Sequence, residues 1–239
     1  MSILAYPFVH YIWLALYLQI ILKIKIYFFL CKKYPLNNKF CIIILMIYTQ
    51  KIQQAINIAI ETHEINKKQK RKGKDISYIT HPLTVSLILS RAGASEDVII
   101  SGILHDTIED SDESNKITKE IISEKFGNDV STLVLSATEQ NKDLPWEERK
   151  AMALEHIQDF SNDSVLLKSA DLISNVFEIK DDYDTVGNDV FNRFNAKKDK
   201  TLWNYGSVAE KLLNKWPESP LSDDLKVLLE KIEIMKNSL

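Results

Sequence analysis

Apolar residues in this chain recur at intervals of three and four more often than they alternate, and the pattern predicts a protein built from helices. Ile52, Ala55, Ile56, Ala59 and Ile60 mark one stripe. Leu83, Leu87 and Ile88 begin a second directly after Pro82, a residue that suits a first helical turn. Ser95, with Glu96 and Asp97, is a start signal for a third helix, which Val98, Ile99, Gly102, Ile103 and Ile108 carry through to Asp110. Ile117 to Phe126 reads as a helix stopped by Gly127, Val130 to Thr138 as the next, and Pro145 opens another that reaches about Phe160. Ser164 to Phe177 reads as a largely buried helix, and Leu221 to Met235 as the one that closes the bundle. Strand-like alternation is scarce, so the expected fold class is all-α.

The first 45 residues follow a different pattern. From Ile3 to Leu22 the chain is almost wholly apolar, with Pro7, His10 and Gln19 as exceptions, close to the roughly 20 residues that a membrane-spanning helix needs. Lys23, Lys25, Lys32, Lys33 and Lys39 follow with no acidic residue among them, so an inserted span would leave the remainder in the cytoplasm. The segment is also rich in Ile, Lys, Tyr, Phe, Leu and Asn, as translated AT-rich DNA would be, and Met46 opens the first amphipathic helix. The other reading is therefore a start-site extension that contributes nothing to catalysis. Either way residues 1–45 form an apolar extension, which engages a membrane only if it is present and inserted. Residues 46–239 form one domain with a substantial core, expected in the cytoplasm.

Charge and composition narrow the function. All 33 acidic residues and all but five of the 30 basic ones lie in residues 46–239, which puts that part at −8. A nucleic-acid partner fits that balance poorly. The local basic run Lys67, Lys68, Lys70, Arg71, Lys72 and Lys74 suits a small phosphorylated nucleotide better. With 6 glycines in the chain and no glycine-rich loop after a strand signal, a P-loop or dinucleotide-binding fold is excluded. Cys31 and Cys41 are the only cysteines, so a disulfide framework or a cysteine-rich metal site is unsupported.

The chemistry concentrates in Leu104-His105-Asp106-Thr107-Ile108-Glu109-Asp110. On a continuous helix His105 and Glu109 are one turn apart, as are Asp106 and Asp110, so all four would project to one side. A solvated acidic end would account for Glu109 and Asp110 by themselves. A second imidazole, His81, precedes Pro82 at the mouth of its helix, and Asp171 sits among apolar residues on a face shared with Lys168 and Asn175. A buried carboxylate is costly unless it is paired or bound to metal. Two imidazoles and two carboxylates suit a divalent ion such as Mn²⁺, Fe²⁺ or Zn²⁺, with positions left for water and substrate.

The order His81, His105-Asp106, Asp171 resembles that of the HD-domain metal-dependent phosphohydrolases. Arg71-Lys72-Gly73, Tyr78-Ile79-Thr80-His81-Pro82-Leu83, Leu104 to Asp110, Phe126-Gly127 and Lys168-Ser169-Ala170-Asp171 resemble, in order, the hydrolase domain of the RelA/SpoT family. The likeness is greatest to the single-domain small alarmone hydrolases related to the metazoan SpoT homologue. The resemblance implies an HD-domain helical bundle in which His81, His105, Asp106 and Asp171 hold one Mn²⁺. It implies that Glu109 and Asp110 orient or deprotonate the attacking water, that Arg71 and Lys72 line the nucleotide site, and that Asn175 contacts substrate. The implied reaction is removal of the 3′-pyrophosphate of (p)ppGpp to give GDP or GTP and pyrophosphate. Two other readings share the site: a phosphatase acting on NADPH or another nucleotide, and a nucleotide-binding sensor without turnover. A synthetase domain is not expected. The segment from His63 to Lys70 is longer than in the metazoan homologues. His63 is expected on a helix surface and His156 in a structural role; Trp146 and Arg149 could form a substrate lid, but core packing and helix-surface charge are the expected roles.

Overall fold

Thr49 accepts a hydrogen bond from the Ile52 amide and so caps α1 (Gln50–Ile60). That helix is the first element of the computed structural model, which describes residues 49–139 and 143–237. The expectations for residues 1–45 lie outside the described residues. Ile52, Ala55 and Ala59 of the predicted stripe are buried, and α1 then widens into a π-helical turn, Glu61–Asn66.

Pro82 stands in the first turn of α2 (Thr80–Arg91), where its missing N–H breaks no helical bond. The inner face of α2 is His81, Val85 and Leu89, four residues apart. The expected stripe is displaced, since Leu87 is 70 % exposed. The cause is the neighbour: Gly102 of α3 (Glu96–Leu104) lets that helix approach so closely that a Cβ there would stand 2.5 Å from Leu89 Cδ1 and 3.4 Å from Val85 Cγ1.

Ser95 caps α3 through the Val98 amide, and every residue from Val98 to Leu104 is buried. The helix does not run on to Asp110 as its periodicity predicts. It ends at Leu104, and α4 (Thr107–Asp110) resumes two residues later. Side chains take over the carbonyls left at the break. His105 Nδ1 donates to the Gly102 carbonyl at 2.8 Å, and Thr107 Oγ1 to that of Leu104 at 2.7 Å.

Then follow α5 (Lys119–Phe126), capped by Thr118 and stopped at Gly127 with φ +101°, and α6 (Asn128–Ala137). Next come α7 (Trp146–His156), α8 (Asn162–Val186), α9 (Lys198–Lys215) and α10 (Ser222–Asn237). The long α8 is the hub of the bundle. It packs on α2, α3, α6, α9 and α10 and buries twelve residues from Ser164 to Ile179. Among the described residues the one extended pairing is an isolated antiparallel bridge, Lys70 with Ser77, and no helix is long and apolar enough to cross a membrane.

Since Leu89 is fully buried and cannot swing aside, Gly102→Ala should destabilise the domain by about 1–3 kcal/mol through overpacking, less the roughly 1 kcal/mol that Ala gains over Gly in a helix. Urea unfolding checks it; an unchanged or higher midpoint would show that α2 and α3 can move apart.

Candidate metal and phosphate site

The break between α3 and α4 carries His105 and Asp106, the first turn of α2 carries His81, and the middle of α8 carries Asp171. Packing of α8 against α2 and α3 brings the four together. His105 Nε2 lies 3.0 Å from Asp106 Oδ2 and 3.9 Å from Asp171 Oδ1, and His81 Nε2 lies 3.3 Å from Asp171 Oδ1 and 3.8 Å from Asp106 Oδ2. The Nε2 atoms and the carboxylate oxygens thus converge on one small volume. Ligand atoms of His81, His105 and Asp106 all lie within 4.8 Å of one another.

The donor set fits a divalent cation. His105 Nδ1 is committed to the Gly102 carbonyl, which fixes the tautomer and leaves Nε2 a lone pair. That Nε2 is buried and makes no hydrogen bond, despite Asp106 at 3.0 Å. His81 Nδ1 meets Ser174 Oγ at 3.1 Å, so its Nε2 too points inward. The carboxylates are also held by donors around the cluster. Lys168 Nζ donates to Asp171 Oδ2 at 2.8 Å, Asn175 Nδ2 to Asp171 Oδ1 at 2.7 Å, and the Tyr78 hydroxyl to Asp106 Oδ2.

Electrostatics follow from this crowding. Burial works against both carboxylates, yet His105 holds Asp106, and Lys168 holds Asp171, well below the usual carboxylate range. Burial also opposes charge on His105, but Asp106 and then Asp171 outweigh it and lift its pKa to about 9. At His81 burial dominates and keeps the pKa below the ordinary value. Burial and then Asp106 push the Tyr78 phenol up, so it remains an O–H donor.

A cavity of about 520 Å³ opens beside the cluster. Asp106, Glu109, Lys168, Asp171 and Asn175 face it on one side, and Glu139, Arg149, Lys150 and His156 on another. Met152, Ile157, Phe160, Leu172 and Val208 supply apolar wall, while burial and then Asp171 push the Tyr205 phenol on that wall up to about 12. Glu139 ties the polar walls together: its amide donates to Glu109 Oε1, and its carboxylate accepts from Arg149 and Lys150.

The expectation that His105, Asp106, Glu109 and Asp110 share one side of a helix does not hold, because the helix is broken between them. Asp106 faces the cluster and Glu109 the cavity, while Asp110 Oδ2 turns away to accept from Gln69 Nε2 at 2.9 Å. Arg71 sits behind the site. It donates to Asn175 Oδ1 and Glu178 Oε2, each at 2.8 Å, with its guanidinium 5.4 Å from the Tyr78 ring centre. Lys72 is exposed, its ammonium 5.3 Å from the centre of the Phe194 ring, and takes no part in lining the cavity. The intervening turn needs Gly73, whose φ is +73° and whose missing Cβ makes room for Arg193.

His63 overturns an expectation: it is fully buried rather than on a helix surface, because it lies one turn beyond Ala59 and continues the buried stripe of α1. Arg149 lies on the cavity wall, a place that suits the substrate-facing alternative better than the expected surface charge. Its signal was legible in the spacing Arg149, Ala153, His156, Ile157, Phe160, a single face of α7 and the turn after it. His156 packs edge-on against Phe160 with ring centres 5.3 Å apart, and also lines the cavity.

Comparison with known proteins agrees with this architecture. A family model described as HD domain matches residues 55–201, more than half of the chain. The chain is 39 % identical over 132 residues to the guanosine-3′,5′-bis(diphosphate) 3′-pyrophosphohydrolase MESH1 of Xenopus tropicalis, covering 54 % of this chain and 69 % of the relative. It is 37 % identical over 131 residues to a guanosine-3′,5′-bis(diphosphate) 3′-pyrophosphohydrolase of Aquifex aeolicus, covering 54 % of this chain and 18 % of that longer protein. A solved structure described as "A metazoan ortholog of SpoT hydrolyzes ppGpp and plays a role in starvation responses" superposes with a TM-score of 0.63 at 23 % identity, over 81 % of this chain and 99 % of the other. A Listeria monocytogenes structure superposes at 0.58 with 33 % identity, over 66 % of this chain and 99 % of its own. The chain therefore belongs to the HD domain family and, within it, to the group of small hydrolases that includes MESH1.

Proposed function

We propose that this chain is a Mn²⁺-dependent hydrolase that removes the 3′-pyrophosphate of (p)ppGpp, giving GDP or GTP and pyrophosphate. The observation that carries the reading is the convergence of His81, His105, Asp106 and Asp171 at the edge of a cavity that Lys168 lines beside the cluster and Arg149 and Lys150 line farther round. The substrate named for the MESH1 relative has the charge such walls would accept. Two imidazoles and two carboxylates suit Mn²⁺ among the divalent ions. Once bound, the ion would supply a Lewis acid for a phosphoryl oxygen and acidify a water.

The chain's own groups divide the remaining work. Glu109, facing the cavity beside Asp106, accepts the proton of the attacking water as it approaches phosphorus, and Asp110, the next residue, helps to orient Glu109 toward that water. The bond that breaks joins the ribose 3′-oxygen to that phosphorus. Arg149 and Lys150 leave Glu139 in part to neutralise phosphate, Lys168 does so from the opposite wall, and Asn175 meets the substrate. Arg71 holds Asn175 from behind. The apolar wall with Tyr205 takes the base and excludes water. The cytoplasm is the proposed compartment, consistent with the absence of cysteine from residues 46–239.

Incubation with ppGpp, with NADPH and with simple nucleotides, with and without Mn²⁺, should release pyrophosphate from ppGpp only when the ion is present. Hydrolysis of another ester instead would replace the substrate but keep the site. Asp106→Ala should lose metal binding and turnover together. Glu109→Gln should bind Mn²⁺ normally but lower kcat by roughly 10²–10⁴-fold; equal loss of both would contradict the division of roles.

In protein stripped of divalent ions, the His105 proton takes over neutralisation of Asp106. Because its folded pKa of about 9 exceeds the ordinary 6.5, that contribution is whole below pH 6.5 and lost as pH rises through about 9. The depressed Asp106 and Asp171 act on the other flank, losing their contribution as pH falls below the ordinary 3.8. Thermal scans of chelator-treated protein should show Tm falling from pH 6.5 to 9 and Mn²⁺ restoring it; a flat profile would contradict the coupling.

A further inference from the structure

The π-helical turn Glu61–Asn66 carries His63 at the end of the buried stripe of α1. His63 Nδ1 meets Gln69 Oε1 at 2.9 Å, and Gln69 Nε2 donates to Asp110 Oδ2 at 2.9 Å. The carboxylate accepts only, so the Gln69 amide must present its nitrogen to Asp110 and its oxygen to His63, which makes His63 Nδ1 the donor. One proton assignment satisfies the whole chain from imidazole to amide to carboxylate.

The relay is held at both ends. Backbone bonds from Gln69 N to the His63 carbonyl at 2.7 Å and from Tyr78 N to the Gln69 carbonyl at 2.9 Å fix the main chain of Gln69. Glu64, next to His63, accepts from the Ser77 hydroxyl and from the Ile79 amide, pinning the turn to the start of α2. Lys68, at φ +48°, turns the backbone back toward Gln69 in a conformation that side chains rarely adopt. The His63 ring lies 4.9 Å from that of Tyr78, the residue that donates to Asp106. The segment from His63 to Gln69 is thus folded into a support beneath the site.

We propose that His63 and Gln69 are positioning residues for the hydrolytic reaction: their relay holds Asp110 in one rotamer, with Oδ2 committed to Gln69 and Oδ1 4.0 Å from Lys67 Nζ, and so fixes the turn of α4 that carries Glu109. The inference rests on the reading of Glu109 and Asp110 as the carboxylates that act on water. Neither His63 nor Gln69 lines the cavity, so their loss should affect the rate and not the binding of metal or substrate.

The test is steady-state kinetics on ppGpp with Mn²⁺, alongside Mn²⁺ titration of each variant. His63→Leu and Gln69→Leu keep bulk but break the relay, and each should lower kcat by roughly ten- to hundredfold with KM and Mn²⁺ affinity unchanged. His63→Asn, whose amide N–H can replace Nδ1–H, should restore most of the rate. Gln69 is only partly buried, so Gln69→Leu remains informative if His63→Leu fails to fold. Wild-type kcat in Gln69→Leu would overturn the proposal, and so would His63→Asn as slow as His63→Leu, because bulk alone would then explain His63. A wild-type protein that binds Mn²⁺ yet hydrolyses no phosphate ester would instead refute the hydrolytic reading, and the relay's role with it.

Discussion

Two carboxylates, Asp106 and Asp171, face the same small volume inside a helical bundle, and the arrangement around them answers the need to keep both charged. A lone buried carboxylate would take up a proton. Here the Asp171 oxygens accept from Lys168 and Asn175, and Asp106 accepts from Tyr78, while two imidazole nitrogens complete the ring. Asp171 Oδ1 and Asp106 Oδ2 each take one such bond and still face the imidazole nitrogens, where a second lone pair could meet a cation.

That requirement reaches into the fold. The long α8 presents Lys168, Asp171 and Asn175 on one face, and it is central because the buried residues on the rest of its circumference pack against five other helices. The close approach of α3 and α2 at Gly102 sets the separation of the two histidines, whose ring centres are 5.1 Å apart. The carbonyl of the same glycine orients the His105 ring. The break after Leu104 gives up regular helical bonding and in return allows His105 and Asp106 to point inward together, with Glu109 on the cavity wall. Farther out, Arg71 is clamped by Glu178, and Lys74 and Arg193 by Asp182, a layer of ion pairs behind Asn175.

Much of this was legible in the sequence, for identifiable reasons. Stripes at helical spacing gave the helices, since burying one face of a helix demands them, and the His81, His105-Asp106 and Asp171 positions stand out as polar groups in apolar surroundings. Other features depend on three-dimensional partners. Periodicity carried α3 through to Asp110 because Ile108 continues the stripe; only the His105 and Thr107 side-chain bonds to freed carbonyls reveal the break. Leu87 had an acceptable helical position but lost its place to Val85 and Leu89, which Gly102 admits. His63 falls on the buried stripe of α1, one turn after Ala59, but a polar residue at the end of a stripe does not by itself show that a partner covers it. Arg149 shares its helix with Glu147 and Glu148 and looked like surface charge until Glu139 and the cavity gave it a setting.

The central claim is that the four side chains form one cation site. Anomalous diffraction from crystals grown with Mn²⁺, recorded at the manganese absorption edge, tests it most directly. The account predicts a single strong peak bonded to Nε2 of His81 and His105 and to carboxylate oxygens of Asp106 and Asp171. A manganese peak elsewhere, or none here at saturating ion, would mean that Lys168 and a protonated His105 alone neutralise the two carboxylates, and the proposed chemistry would lose its foundation.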